Sequence, residues 1–132
     1  MNNKLYDLSD LAGRILIAAI FILSGYGKIG GYAGTQGYME SMGVPGMLLP
    51  LVILTELGGG ILIVLGLWTR LAALALAGFS IVAALLFHRN FGDQMQMILF
   101  LKNFAMAGGF LFLVAHGAGA FSLDARRAKS RG

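Results

Sequence analysis

The sequence predicts an all-α membrane protein, an antiparallel four-helix transmembrane bundle, and three observations carry that prediction. Apolar residues make up 58% of the 132 and charged ones only 12%, against roughly 45–50% and about 25% in a soluble domain. Mean hydropathy is +0.79, and a chain of this length folded in water buries only about two thirds of its surface, which would leave large exposed apolar patches. The apolar residues also gather into four stretches, each near the roughly 20 residues that cross ~30 Å of hydrocarbon. Spans are expected over about 8–27, 47–67, 71–88 and 95–115, with an outer loop 28–46 and a basic tail 116–132, all in one domain.

The first span is expected to stay in the mature protein. Asp7 and Asp10 precede it where a signal peptide carries basic residues, and no A-x-A site follows. Within it Arg14, Ala18, Phe21, Gly25 and Lys28 recur at i+3/i+4 spacing and so share one face, which should look into the bundle. The loop that follows is rich in glycine (Gly30, Gly31, Gly34, Gly37) and closes at Val44-Pro45-Gly46. Thr35 is expected to cap a short helical turn bearing Tyr38, Met39 and Met42 in the outer headgroup zone; a structureless linker is the alternative. Pro45 punctuates the start of the second span.

Only Trp68, Thr69 and Arg70 separate the second and third apolar stretches, so those two helices must be antiparallel neighbours. Small residues indicate how the spans approach one another: Gly58, Gly59 and Gly60 on the second, Ala73, Ala77, Ser80 and Ala84 on the third, Ala105, Gly108 and Gly109 on the fourth. In lipid, packing comes from such close backbone approach and from polar contacts between helices. Basic residues set the orientation. Lys4, Arg14, Arg70, Arg126, Arg127, Lys129 and Arg131 fall on one side and Lys28 and Arg89 on the other, which places both termini in the cytoplasm. The net charge of +4 is thus assigned to anionic lipid headgroups beside the last span, not to nucleic acid.

The ionisable residues inside the spans are the candidates for chemistry, because each costs at least ~2.5 kcal/mol at mid-membrane unless partnered or wet. At ~1.5 Å per residue Glu56 lies about 15 Å below Gly46 and Lys102 about 12 Å below Gln94, a match in level that predicts a Glu56–Lys102 pair. His88 and Lys28 would stand above the pair near the outer boundary, and Arg14 would close the lower end of a polar pocket open toward the outer leaflet. Blander readings stand beside these. The pair could be a packing device that specifies which helices adjoin, Arg14 could snorkel or pair with Asp10, and His88 could be a solvated loop residue. His116, at the other membrane face, reads as a C-terminal cap. The two histidines lie roughly 30 Å apart and cannot share a haem iron. With no cysteine, disulfides, thiolate zinc, iron–sulfur clusters and thiol relays are all excluded. No metal site, P-loop or dinucleotide motif is present in the sequence, since Gly58-Gly59-Gly60 sits in mid-helix and not after a strand.

Several motifs taken together resemble the DoxX family: Ser24-Gly25-Tyr26-Gly27-Lys28, Gly31-Tyr32-Ala33-Gly34-Thr35-Gln36 with Tyr38-Met39-Glu40, Met42-Gly43-Val44-Pro45, Glu56 with its glycines, Thr69-Arg70, Phe87-His88 and Lys102-Asn103. The likeness runs from Leu11 to Asp124 and is strongest to the family's bacterial inner-membrane branch. It implies a multi-pass bacterial inner-membrane protein linked with oxidoreductase assemblies, some relatives being small subunits of thiosulfate:quinone oxidoreductases and others belonging to oxidative-stress systems. Relatives that use thiols carry cysteines, so no disulfide mechanism transfers to this chain.

Three function classes then compete. In the first, a redox-associated component binds a quinone or other small lipophilic ligand, with Glu56, Lys102 and His88 as the acting groups and Lys28, Arg14, Asn103 and Tyr26 as ligand contacts; Lys102 and His88 would donate to ligand oxygens and Glu56 would exchange protons. Redox chemistry would require a partner subunit, and a homo-oligomer is compatible with this reading. In the second class the charges line a proton or small-solute pathway. In the third the chain is a non-catalytic assembly subunit whose charges only specify packing.

Overall fold

A computed structural model of the chain describes residues 3–88 and 90–131; Arg89, counted above among the outer basic residues, lies outside them. Among the described residues the chain is helical throughout, without strands. Four helices are long and apolar enough to cross a membrane: α1 (Asn3–Gly30), α3 (Gly46–Leu65), α4 (Thr69–Phe87) and α5 (Gln94–His116). Two shorter helices complete the fold, α2 (Tyr32–Ser41) between the first two spans and α6 (Leu123–Arg131) after the last.

The first helix begins near Asn3, ahead of the expected start at 8, because Asp7 and Asp10 are compatible with a helical first few turns that project beyond the apolar segment. Its predicted inner face is the packed face: Arg14, Ala18, Phe21 and Gly25 are buried and Lys28 is half-buried. The outer segment differs from expectation. Instead of one turn capped by Thr35, α2 is a ten-residue helix whose N-cap is Gly31, and the Thr35 hydroxyl donates back to the Gly31 carbonyl at 3.0 Å. Met39 is buried beneath it and Tyr38 stacks on Phe87 with ring centroids 5.6 Å apart. The chain then turns at Gly43, whose φ of +80° suits glycine.

The second span is not uniform. It opens with a 3-10 turn (Gly46–Leu48), runs as α-helix through Leu49–Ile53, widens into one turn of π-helix (Leu54–Gly58) around Glu56, and resumes as α-helix over Gly59–Leu65. Two of its glycines admit neighbours. A Cβ at Gly60 would stand 2.7 Å from Ile22 Cγ1 of α1, and one at Gly59 would stand 3.1 Å from Leu76 Cγ of α4, whereas one at Gly58 would meet only Leu54 of its own helix, at 3.7 Å. Ala73, Ala77, Ser80 and Ala84 are all buried, and α4 and α5 share the most extensive backbone contact of the bundle. On α5 only part of the expected small-residue surface is used: Gly109 faces Ile17, and Gly108 has open space.

The core sits in the lower half, where Ala18, Phe21, Ile63, Leu76, Ala77, Ala107 and Phe110 meet. Phe21 makes edge-on contacts with Phe110 at 5.4 Å and Phe79 at 6.4 Å. Below this core a polar lock joins three segments. Arg14, buried, donates to the carbonyls of Ile63 (3.0 Å), Val64 (3.2 Å) and Phe121, thereby capping the end of α3 and holding the segment before α6. Gly66, at φ +68°, ends α3 with no room for a side chain, since a Cβ there would collide with Ser122 and Arg14. Asp124 accepts from the amides of Trp68 (2.8 Å) and Thr69 (2.9 Å), capping α4 and supporting Trp68 at φ +48°, a conformation uncommon for a side chain of this size. The residues expected to form a plain basic tail thus carry a helix whose start is part of the bundle.

Candidate functional site

Above the aromatic core the four spans diverge and leave a chamber of about 460 Å³ beneath α2. Ile20, Phe21, Ser24 and Lys28 come to it from α1, Leu51, Val52, Thr55 and Glu56 from α3, Phe79, Ser80 and Val82 from α4, and Leu99, Lys102, Asn103 and Met106 from α5. Thr35, Tyr38 and Met39 of α2 cover it, with Phe87 and His88 from the end of α4. Most of this wall is apolar, and its polar groups come from all four spans, the usual make-up of a small-molecule site.

Glu56 is held by its unusual backbone. The π turn inserts a residue into the helical register, and this carries the carboxyl inward, where it is buried. Its partner is Lys28, with Nζ to Oε1 at 2.8 Å, and not Lys102. Lys28 Nζ also donates to Ser24 Oγ one turn earlier, at 2.6 Å. The expected Glu56–Lys102 pair is therefore corrected, for a reason that lies in α2. Depth counting treated Lys28 as the membrane boundary, yet α1 continues to Gly30 and α2 roofs the chamber, so Lys28 stands under cover beside the π turn.

Lys102 and Asn103 line the same chamber without joining that pair, and Lys102 makes no hydrogen bond or ion pair with the described residues. His88 lines it too, and its Nδ1 lies 3.0 Å from Gln96 Oε1. Where Gln96 presents its carbonyl oxygen, Nδ1 donates to it and Nε2 is the ring's remaining polar atom. Several other polar groups are spent within the protein. Thr55 donates to Leu51 O at 2.8 Å and Ser80 to Leu76 O at 2.8 Å, whereas Lys102, Asn103 and the Tyr38 hydroxyl remain as donors of the wall.

Two expected contacts lie elsewhere. Arg14 belongs to the polar lock below the core, separated from the chamber by Phe21 and Phe110, because the carbonyls at the end of α3 supply acceptors that a ligand would otherwise have to provide. Tyr26 is 72% exposed on the outer face of α1, two residues out of phase with Lys28. Sequence reasoning missed Tyr38, Phe87 and Met39 as parts of the site. The tyrosine and methionines of the outer segment were the available signal. At the opposite end His116 stacks on Phe112 with centroids 6.5 Å apart, outside the chamber.

Comparison with known proteins agrees with this architecture. The DoxX family model matches residues 9–89. Inner membrane protein YqjF of Escherichia coli (strain K12) is 54% identical over 121 residues, covering 92% of this chain and 93% of the relative. Inner membrane protein YphA of the same organism is 40% identical over 123 residues, 88% of each. CatD of Bacillus subtilis (strain 168), whose name assigns it provisionally to the oxidoreductases, is 32% identical over 75 residues, 57% of this chain and 56% of its own. No solved structure matches significantly. The four spans, the family model and the near-full-length identity converge on one statement: this chain belongs to the DoxX family.

Proposed function

We propose that the chain is a bacterial inner-membrane protein that binds a small lipophilic molecule with an oxygen-bearing head in the chamber beneath α2, as a component of a redox system. The observation that carries this reading is the chamber itself. It holds about 460 Å³ of space, within the range of small-molecule sites, and it combines apolar walls with an ion pair and unspent donors. The names of the relatives supply the inner membrane, and the name of one of them the redox context.

The residues fit a quinone-like ring. Phe79, Phe87 and Tyr38 offer flat apolar surfaces, Lys102 and Asn103 offer donors to ring oxygens, and Glu56 with Lys28 forms a pair able to hold or release a proton. A quinone, when bound, would supply two-electron chemistry that these side chains lack, and a partner protein would exchange the electrons. The closed lower half, with Phe21 against Phe110 and Arg14 below, favours a dead-end binding chamber over a pathway across the membrane.

The test is to fill the chamber. Val52→Trp places an indole in the space between α3 and α4. Solvent extraction of the purified wild-type protein followed by mass spectrometry should yield a retained lipophilic molecule that the variant lacks, and a short-chain quinone should bind to the wild type only. Identical extracts and no quinone binding to either protein would overturn the reading.

A further inference from the structure

The chamber holds an unbalanced charge. Glu56 is the one acid among its described lining residues, and Lys28 already occupies it at 2.8 Å. The remaining five acids of the chain are Asp7, Asp10, Glu40, Asp93 and Asp124, and none of them is in the chamber wall. Lys102 therefore contributes a positive charge with no counter-charge, about 12 Å below the outer end of α5, where hydrocarbon surrounds the bundle. Lys102 is exposed on the bundle while also lining the chamber, so its ammonium has two surroundings available at that level: acyl chains, which solvate it poorly, or the chamber. Asn103 beside it adds an amide donor, and Thr55 and Ser80 have turned their hydroxyl protons to their own backbones. What the wall lacks at Lys102 is a negative group.

From this imbalance we propose that the ligand of the chamber is a lipophilic anion, a carboxylate or phenolate on an apolar body, whose charged oxygen pairs with Lys102 and whose body lies against Leu51, Val52, Val82 and Leu86. Such a ligand completes a second ion pair beside Lys28–Glu56 and leaves the chamber neutral. The inference rests on the ligand-binding reading above, keeps its lipophilic molecule with an oxygen-bearing head, and replaces the neutral quinone-like ring by an anion. Asn103 donates to the second oxygen, and the apolar wall excludes inorganic anions, which have nothing to bury there. The same chemistry is available from a fatty acid of the bilayer or from an aromatic acid, and the body of the probe distinguishes them.

The experiment is equilibrium dialysis of the protein in nanodiscs of zwitterionic lipid, with empty nanodiscs as blank. The probes are 2-naphthoate, the neutral isostere 2-naphthamide, and decanoate. One of the two acids should bind at least tenfold more tightly than naphthamide, naphthoate indicating a ring-shaped body and decanoate a chain. That preference should vanish in Lys102→Met and persist in Lys102→Arg, which keeps the charge. Lys102→Gln serves as the second neutral variant if Lys102→Met does not fold. Equal binding of acids and amide to the wild type would overturn the anion while leaving the ligand chamber standing. Binding of no probe, with the Val52→Trp variant indistinguishable from wild type, would overturn both.

Discussion

Lys28 and Glu56 form a pair in which one partner is buried and the other half-covered, so each stabilises the other mainly by preventing an uncompensated charge in a low-dielectric site. Lys28→Met should lower stability by about 3 kcal/mol, the cost of stranding a buried carboxylate. The double variant Lys28→Met, Glu56→Gln should recover most of it, whereas Lys102→Met should show no coupling to Glu56→Gln beyond additivity. Thermal unfolding in detergent, read as a double-mutant cycle, checks this, and strong Glu56–Lys102 coupling would contradict the pairing. Asp124 at the other end of the bundle supplies a pH-dependent term. Burial alone would raise its carboxyl, but the amides of Thr69 and Trp68 and the nearby Arg127 outweigh that and hold it below the usual carboxylate range. The folded value lies below the unfolded one, so its contribution is complete above about pH 4 and is lost as pH falls through the folded value. Asp124→Asn should cost about 1 kcal/mol at neutral pH, a typical cap. The difference from wild type should hold above about pH 4 and shrink as pH falls below it, and a difference that stays constant with pH would mean that the carboxylate charge is not what caps α4.

The helices were legible in the sequence to very different degrees. The four spans were, because hydrocarbon thickness dictates their length and no water is available to hide a charge. The inner face of α1 was also legible, since 3.6-residue periodicity alone puts Arg14, Ala18, Phe21 and Gly25 together. The π turn was not. A continuous run from Leu48 to Leu65 reads as one α-helix, and the register shift at Leu54–Gly58 lies where Leu57 packs against Gly25, a Cβ on which would lie 3.0 Å from Leu57. Nor was the pairing of Glu56 with Lys28, which meets it beside the π turn. Small residues illustrate the same division, because composition marks candidate contacts and only the rotation of each helix says which are used. Gly60→Leu should therefore destabilise strongly, by 2 kcal/mol or more on the order of overpacked sites, since its Cβ would lie 2.7 Å from Ile22 and 3.4 Å from the Ala18 carbonyl. Gly108→Ala, facing open space, should be neutral or stabilise by up to about 1 kcal/mol through helix propensity. Unfolding midpoints of the two variants check the rotation of α3 and α5 at once, and a neutral Gly60→Leu would contradict the approach of α3 to α1.

At the scale of the whole molecule the two ends of the bundle are built differently, and that difference bears on orientation. One end is tied by Arg14, Asp124 and the turn at Gly66 and carries Lys4, Arg70, Arg126 and Arg127 around it. The other end holds α2 over a chamber whose described basic lining residues are Lys28, half-buried, and Lys102, exposed. Four spans place Asn3 and α6 on the same side of the membrane, and we propose from the basic asymmetry that this side is the cytoplasmic one. On that proposal the roofed chamber faces the periplasm, and a ligand would reach it from the outer leaflet. The chain has no cysteine, so single cysteines report position without background. Ser41, exposed at the end of α2, and Arg126, exposed on α6, mark the two ends. In intact cells an impermeant maleimide should label Ser41→Cys and leave Arg126→Cys unmodified until the membrane is opened. The reverse pattern would invert the protein and put the chamber under the cytoplasmic leaflet.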